Sequence, residues 1–330
     1  PTPPAPSEVG GGAVRLNLYD GLYRREDNPP KVEPWLAESH TVSADGLTYT
    51  VKLRKGAKFH DGAEITAEDV RYSADRILAL KKGAAALLST MIATGTTKAL
   101  DRYTVQFALT KPAAIFLAVV PEVHVVNAAL LKKHEKDGDW GEAWLTSNEA
   151  GSGSYALTRY DPAVGFIARR FPGHFMPWGA KYIEEIEFRT VKEDNTRVLG
   201  MIKGDYQGTG GYLPNDQVKR LREAPNVKII EQESMRIKIF QINNQRPPLN
   251  DVHVRRAISY AFDYDGFNKD ILGGSVERNP VPIPNNMWGV PRDVKGYTYD
   301  IDKAKAELAL AKVKVDRPLT IGYLQGFSQT

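Results

Sequence analysis

Apolar and polar residues alternate in two segments of the first half of the chain. In segments 48–55 ("TYTVKLRK") and 103–109 ("YTVQFAL"), large apolar residues occupy alternate positions. A period of two is typical of a strand with one buried face. Between these segments, apolar residues at helical spacing predict a helix from residue 67 to about residue 80. The pattern therefore predicts two half-buried strands with a helix between them.

The same two periods recur along the rest of the chain. Strands are predicted at 155–160, 165–171, 183–191, 227–234, 236–243 and 319–324. Helices are predicted at 194–204, 214–225, 251–263 and 302–312, the first with Asp194 as its N-cap and Gly204 as its stop. The helical residues expected to face inward are Val198, Leu199, Ile202, Val254, Ala257, Ile258, Ala261, Ala304, Leu308 and Ala311. Interleaved strands and helices indicate an α/β fold with some antiparallel hairpins.

Length and composition narrow the class of protein. The chain has 330 residues, more than a single core usually holds, which predicts two lobes. Lys and Arg number 44 against 40 Asp and Glu, and the excess is spread out, so no basic stripe suited to nucleic acid is present. The longest apolar run, residues 113–120, is far shorter than the roughly 20 residues of a membrane span. The lack of cysteine excludes disulfides and thiolate metal sites.

The segment 58–70, "KFHDGAEITAEDV", combines a histidine with four acidic residues. A metal site needs ligands that converge, whereas His60 and Asp61 are adjacent at an Asp-Gly turn, where their side chains diverge. Thr66, followed by acidic residues in the first helical turn, is typical of a helix N-terminus. The segment is therefore predicted to be structural. A carboxylate-dependent hydrolase that uses Asp61 with Glu68 is the enzymatic alternative.

Two other motifs give no catalytic site. The segment 151–155, "GSGSY", lacks the Lys-Ser/Thr ending of a phosphate-binding loop and precedes a predicted strand rather than a helix. The G-x-S-x-G elbow of serine hydrolases does not occur in the sequence. The sequence accordingly predicts no catalytic residue, no metal ligand and no cofactor.

Five segments, read in order, resemble the family 5 extracellular solute-binding proteins. They are "NLYDGLYRRE", "VEPWLAESHTVSADGLTYTVKLRKGAKFHDGAEITAEDVRYSADRIL", "GSGSYALTRYDP", "YIEEIEFRTVKEDNTRVLGMIKGDY" and "FQINNQRPPLNDVHVRRAISYAFDYDGF". The resemblance runs from about residue 17 to residue 323, which is nearly the whole chain. The resemblance is to the oligopeptide- and dipeptide-binding receptors of ABC importers. It implies a periplasmic protein that captures a small solute, most often a peptide, and delivers it to a membrane permease without a chemical step.

The resemblance also implies a domain organisation. The fold would be a two-lobed clam-shell of the type II-like periplasmic binding proteins, monomeric at full length, that closes on its ligand. Residues 1–13 are expected to form a flexible tail, residues 14–243 lobe I with a smaller subdomain at about 34–165, and residues 244–330 the start of lobe II. The segment 240–248 is either a crossing between lobes or an ordinary exit from a strand. Because family members are longer, lobe II is expected to be incomplete here, with the chain a fragment or completed by a second chain.

Candidate ligand contacts follow from position within the family pattern. They are Tyr23, Gly210, Gly211, Tyr212, Asn243, Asn244, Asn285, Asn286 and Trp288, with Glu122 and His124 as weaker candidates. Glycines let a backbone approach a ligand, aromatic rings offer a flat apolar surface, and amides offer paired hydrogen-bonding groups. Each also has a structural interpretation as a turn residue, a core aromatic or a backbone cap. A sensor or chaperone-like binder on the same scaffold is a further alternative to the transport receptor.

Overall fold

The chain folds as two compact units. The computed structural model describes residues 9–27, 30–210, 213–287, 289–316 and 318–322. The first unit comprises Pro1–Glu26 and Pro30–Thr190, and the second comprises Asp27–Pro29 and Val191–Thr330. This division does not coincide with the predicted lobe boundary at residue 243. That boundary and the subdomain at about 34–165 stay predictions.

Antiparallel sheets and short helices build the first unit. Its helices are α1 (Val9–Leu18), α2 (Ala67–Leu80), α3 (Ala85–Leu88), α4 (Phe116–Val119), α5 (Ala128–His134) and α6 (Glu142–Leu145). Its strands are β1 (Tyr23–Asp27), β2 (Pro30–Pro34), β3 (Ala37–Val42), β4 (Thr48–Leu53), β5 (Ile92–Asp101), β6 (Thr104–Leu109), β7 (Tyr155–Asp161), β8 (Gly165–Arg170) and β9 (Glu185–Arg189). A 3₁₀ turn, Val120–Glu122, follows α4. The strands form a β1-β2 pair, a sheet of order β3-β4-β6-β5 and a sheet of order β7-β8-β9.

The four-stranded sheet confirms the two strands predicted from alternation. In the β4–β6 register, Tyr49 lies opposite Phe107 and Val51 opposite Val105, so the apolar residues of both strands share one face. These four side chains are buried in the main core of the unit. The period of two was sufficient because each strand finds its partner inside the same unit.

Helix α2 has the predicted bounds and covers this core with Val70, Ala74 and Leu78. At its N-terminus the Asp69 carboxylate accepts a hydrogen bond from the Thr66 backbone N–H at 2.9 Å. The helix ends at Lys81, which adopts a left-handed conformation with φ 53°. The predicted structural role of the segment around Thr66 is thus confirmed in its helix-capping part.

The first helix of the described chain begins earlier than expected. Helix α1 begins at Val9, whereas residues 1–13 were expected to form a flexible tail. Glycine has a low helix propensity, but the side chains of Val14 and Leu18 are buried in a second apolar cluster with α5 and β7. Burial of these side chains stabilises the helix even though its first turn contains three glycines, which by propensity alone would not form a helix.

The second unit is helical in its described part. Its helices are α7 (Asp194–Lys203), α8 (Asn215–Glu223), α9 (Val252–Ala261), α10 (Tyr264–Gly266), a π-helical turn (Phe267–Ile271) and α11 (Ile301–Leu310). The longer four lie where the sequence predicts them. Helix α7 ends at Gly204 as predicted, with φ 83°, but its N-cap is Glu193 rather than Asp194. Asp194 is the first helical residue and pairs with Arg197.

Three predicted strands are not formed. The described residues from Val191 onward contain no strand, so the predictions at 227–234 and 236–243 are wrong for this structure, as is the described part of 319–324. A strand requires a hydrogen-bonded neighbour, and no other strand lies in this part of the described chain to provide one. Ile230 is 74% exposed and Phe240 65% exposed, so their apolar side chains have no sheet face to cover.

Several helical residues expected to face inward are exposed instead. Val198, Val254, Ala257 and Ala304 are buried as predicted. Leu199, Ala261 and Leu308 are exposed, and Ile202, Ile258 and Ala311 are half-buried. Each of these helices buries only one or two apolar side chains against its neighbours. The sequence offers a wider apolar face than the neighbouring elements cover, so the remaining apolar side chains stay exposed or half-buried.

Candidate functional site

A buried carboxylate, Asp20, joins three distant segments of the first unit. Its Oδ1 accepts a hydrogen bond from Trp35 Nε1 at 2.7 Å, and its Oδ2 accepts one from Ser152 Oγ at 2.8 Å. His174 Nε2 lies 3.5 Å from the same Oδ1. An ionised carboxylate is stable inside a protein only when its oxygens are hydrogen-bonded. Asp20 therefore fixes the residue after β2, the loop before β7 and the segment after β8 relative to one another.

His60 is buried beside that loop. Its Nδ1 lies 2.6 Å from Glu149 Oε1, and its Nε2 lies 2.9 Å from the Gly153 carbonyl oxygen. Burial alone would lower the pKa of His60, but the hydrogen bond and charge of Glu149 outweigh it and raise that pKa above its ordinary value. The predicted turn at His60 and Asp61 is present, yet His60 also makes a long-range contact that the motif did not indicate.

The loop at residues 149–153 packs directly on the end of α1. The Gly153 N–H donates to the Leu18 carbonyl at 3.0 Å, and a Cβ at Gly151 would lie 1.9 Å from that same oxygen. Only glycine allows two backbone segments to approach this closely. The segment predicted as the tight entry to a strand is therefore a packed junction, and its glycines are required by that contact.

A cavity of about 300 Å³ opens beside these residues within the first unit. Its polar lining includes His60, Asp61, Asn127 and Glu149, and its apolar lining includes Leu130. Asp61 accepts a hydrogen bond from Asn127 Nδ2 at 2.8 Å. This cavity is the site to which the segment at 58–70 contributes.

The enzymatic alternative paired Asp61 with Glu68. Glu68 instead accepts a bidentate pair of hydrogen bonds from Arg71, both at 2.7 Å, and lies 3.2 Å from Lys132 Nζ. It thus belongs to a surface ion-pair network, and among the described residues the two carboxylates have no partner in common. Within the same part of the chain, no group of three or more His, Asp or Glu side chains is arranged to hold a metal ion.

The structure places the candidate Tyr23 in the core of the first unit. Its side chain is 4% exposed, and its hydroxyl lies 2.9 Å from His40 Nδ1. Burial raises the pKa of Tyr23 to about 12. These contacts favour a structural role, and the predicted ligand contact stays a prediction.

The weaker candidates Glu122 and His124 also have structural partners. Glu122 lies between Arg15 and Arg25, at 3.5 Å and 3.4 Å. His124 Nδ1 lies 3.2 Å from the Glu122 carbonyl oxygen, and burial lowers the pKa of His124. Glu122 therefore holds the segment after α4 against α1 and β1, whereas the His124 ring makes its hydrogen bond within that segment.

The remaining candidates belong to the second unit. Gly211, Tyr212 and Trp288 lie outside the described residues. Gly210 is exposed, and a side chain there would meet no atom within 4 Å. A ligand can therefore approach its backbone directly.

The four candidate asparagines differ in their contacts. Asn243 Oδ1 accepts a hydrogen bond from the Gln245 N–H at 3.1 Å, and Asn244 is exposed. Asn285 Nδ2 donates to the Arg278 carbonyl at 3.2 Å. Asn286 Oδ1 is buried and accepts no hydrogen bond from any residue that the structure describes. Among the four asparagines, Asn286 is therefore the one with a buried acceptor oxygen that has no partner in the described part of the chain.

Comparison with known proteins decides the class. The model of the bacterial extracellular solute-binding proteins, family 5 middle, matches residues 31–326. The chain belongs to this family. It is 33% identical over 278 residues to the probable D,D-dipeptide-binding periplasmic protein DdpA of Escherichia coli (strain K12), covering 84% of this chain and 52% of that protein. It is 31% identical over 322 residues to the dipeptide-binding protein of the same strain, covering 90% and 58%.

A solved structure supports the same relationship. The periplasmic binding protein DppA of Helicobacter pylori, in complex with the peptide STSA, matches with a TM-score of 0.82 and 26% identity over 93% of this chain and 62% of that one. The predicted fold class, a two-lobed α/β periplasmic binding protein, is confirmed by this match. The family and its relatives are binding proteins rather than enzymes. The chain spans between half and three fifths of the length of the curated relatives named above.

The buried network around Asp20 and His60 was not predicted. One indication was present in the sequence, because Asp20 is an acidic residue within the apolar run "LYDGLY". A charged residue in such a run is rarely buried unless it has partners elsewhere. The identity of those partners, Trp35 and Ser152, depends on long-range packing that local patterns do not contain.

No helix in the described part of the chain has the length and apolar character needed to cross a bilayer.

Proposed function

We propose that this chain is part of a periplasmic receptor that captures a peptide and delivers it to an ABC permease. The observation that carries the proposal is the family match over residues 31–326, together with 31–33% identity to two proteins named as dipeptide-binding. In this mechanism the ligand binds the closed receptor better than the open one and shifts the population toward closure. A micromolar dissociation constant, about 8 kcal/mol, is sufficient for capture and release. The receptor acts as a monomer and uses no cofactor.

Two features of the second unit support direct contact with a peptide. The buried Asn286 Oδ1 is an acceptor suited to a peptide N–H, and an unsatisfied buried acceptor costs about 1 to 3 kcal/mol. Gly210 offers its own backbone groups without steric hindrance. Peptide ligands are rich in backbone donors and acceptors, so both features match their chemistry.

Calorimetric titration with three probes tests the proposal. They are an L,L-dipeptide, a D,D-dipeptide and the tetrapeptide STSA, with the corresponding free amino acids as controls that lack the peptide bond. We expect at least one peptide to bind in the micromolar range while its amino acids do not. Mass spectrometry of the recovered peptide should show no cleavage. Cleavage, or the absence of binding by every peptide together with binding of another solute class, would overturn the proposal.

A matched pair of variants tests the role of Asn286. Asn286→Ala should weaken peptide binding at least fivefold, because the ligand loses a buried hydrogen bond of about 1 kcal/mol. Asn250→Ala, at an exposed position, should leave affinity unchanged. Equal affinities for the two variants would remove Asn286 from the proposed site while leaving the receptor function intact.

A further inference from the structure

The imidazole of His60 is flanked by two acceptors and no donor. Glu149 Oε1 lies 2.6 Å from Nδ1, and the Gly153 carbonyl oxygen lies 2.9 Å from Nε2. A neutral imidazole carries one N–H, so it can satisfy only one of these acceptors and sets a lone pair against the other. Only the doubly protonated ring donates to both. The side chains of His60 and Glu149 are 8% and 11% exposed, so most of the surface of both is covered by protein.

From this geometry we infer that His60 is a pH-sensitive clasp, which ties Glu149 to Gly153 while it is doubly protonated, and which keeps only its bond to the charged Glu149 and gives up the one to Gly153 when it loses a proton. The clasp is defined by His60, Glu149 and Gly153. It is a conformational device of the first unit and does not depend on the identity of the ligand.

The ionisable groups around His60 are acidic residues and a second histidine. Glu149 faces it from the loop before β7, Asp20 acts on it from the end of α1, and Asp61 follows it in sequence. His174 is turned toward Asp20, and the ring of Phe171, which is uncharged, meets the His60 ring edge to face at 5.0 Å. Among the described residues, Glu149 has an ion pair with no cation other than His60. These surroundings stabilise the imidazolium against its burial.

The clasp is connected to the buried network of Asp20. The His60 N–H donates to the Gly151 carbonyl at 3.0 Å, so both the backbone and the ring of His60 hold the loop. Ser152, between the two glycines, donates to Asp20, which in turn accepts from Trp35. Release of Gly153 therefore loosens Ser152, and the change reaches the Trp35 indole through Asp20.

The direction of the pH dependence follows from the raised pKa of His60. The stabilisation that its second proton provides is fully present below a pH of about 6.5, the ordinary histidine value. It is lost as the pH rises through the higher pKa of the folded state. The clasp is therefore closed in acid, and it opens as the pH rises above the ordinary histidine value and through the raised pKa of His60.

Nitrogen-15 NMR of the protein labelled at histidine and tryptophan tests the clasp. The His60 signals are assigned by their loss in His60→Gln, and the Trp35 indole N–H by its loss in Trp35→Phe. Below a pH of about 6.5 both His60 nitrogens should carry protons, and as the pH rises above that value the ring should become neutral while the Trp35 signal shifts with the same midpoint. A His60 ring that is already neutral at a pH of about 6.5, or a Trp35 signal that does not follow His60, would overturn the inference.

Charge removal at Glu149 gives a second test with a matched control. Glu149→Gln should move the His60 and Trp35 transitions together to lower pH, because the amide accepts a hydrogen bond but carries no charge. His253 and Glu307 form a similar pair at 2.7 Å, so Glu307→Gln should leave both transitions unchanged. If Glu149→Gln does not fold, the wild-type titration alone decides. An unchanged His60 transition in folded Glu149→Gln would contradict the proposed part of Glu149.

Discussion

Replacement of Gly151 by alanine tests the packed junction between the loop before β7 and the end of α1. A Cβ at this position would lie 1.9 Å from the Leu18 carbonyl oxygen, whereas real Cβ contacts are essentially never shorter than 3.0 Å. The backbone must therefore move by about 1.1 Å, the difference between 3.0 and 1.9 Å. Because the obstructing atom belongs to a helix end and not to a flexible side chain, a rotamer change cannot relieve the clash.

The free-energy change can be estimated from the hydrogen bonds that this movement stretches. His60 N–H donates to Gly151 O at 3.0 Å, and Asn127 N–H donates to Ala150 O at 3.0 Å. A displacement of about 1 Å takes these distances beyond the range of a hydrogen bond. Each bond contributes about 0.5 to 1.5 kcal/mol, and steric strain adds about 1 to 3 kcal/mol. Alanine also reduces the entropy of the unfolded chain, which favours folding by about 0.4 to 1 kcal/mol, so the net loss of stability is about 1 to 5.6 kcal/mol, with a midpoint near 3 kcal/mol.

Urea denaturation followed by tryptophan fluorescence measures this change. Four of the five tryptophans lie in the first unit, at Trp35, Trp140, Trp144 and Trp178, so the fluorescence reports mainly on that unit. The control is Gly12→Ala in α1, where a Cβ meets nothing within 4 Å, and it should raise the free energy of unfolding by about 0.5 to 1 kcal/mol. The reasoning is refuted if Gly151→Ala unfolds within about 0.5 kcal/mol of the wild type.

Two further substitutions test the ion-pair network and the core. The hydrogen bonds from Arg71 lower the pKa of Glu68 to about 2, so its contribution is present above the ordinary carboxyl value and lost as pH falls toward 2. Glu68 is 45% exposed, so Glu68→Gln should lower the free energy of unfolding by only about 0.5 to 1 kcal/mol at pH 7. This loss should shrink as the pH falls toward and below 2, and an equal loss at pH 7 and pH 2 would contradict the reasoning. Phe107→Ala should lower it by about 3 to 5 kcal/mol, against less than about 0.5 kcal/mol for the exposed Lys98→Ala, and urea titrations of both variants check this difference.

Periodicity predicted the elements whose partners lie in the same unit. The strands β4 and β6 and the helix α2 lie where the pattern places them, because each buries its apolar face against the other two. The segments at 227–234 and 236–243 are also predicted to be strands, and neither forms one. Alternation reports which residues prefer burial on a sheet, but a strand exists only where a neighbour supplies hydrogen bonds.

The sequence predicted the short-range contacts of the candidate site but not its long-range ones. The helix cap at Thr66 and the turn at Asp61 involve residues two or three positions apart, and such contacts can be read from a short segment. The pairs His60–Glu149 and Asp20–Ser152 join residues 89 and 132 positions apart. Neither pair has a fixed spacing, so the sequence indicates at most that a buried acid requires some partner.

The two units differ in how many of their apolar side chains are buried. The exposed apolar side chains of the second unit include those of the predicted strands that did not form. The first unit has two large clusters of buried residues, whereas the buried cluster of the second contains Val198, Leu213 and Leu221. Ile230, Ile239 and Phe240 are exposed, and full burial of such side chains provides about 1.5 to 3 kcal/mol each. Three of them amount to about 4.5 to 9 kcal/mol, comparable to the stability of a whole domain. The segment 227–243 therefore has apolar side chains suited to a paired strand. Partner strands that buried these three side chains would supply enough free energy to convert the segment into strands.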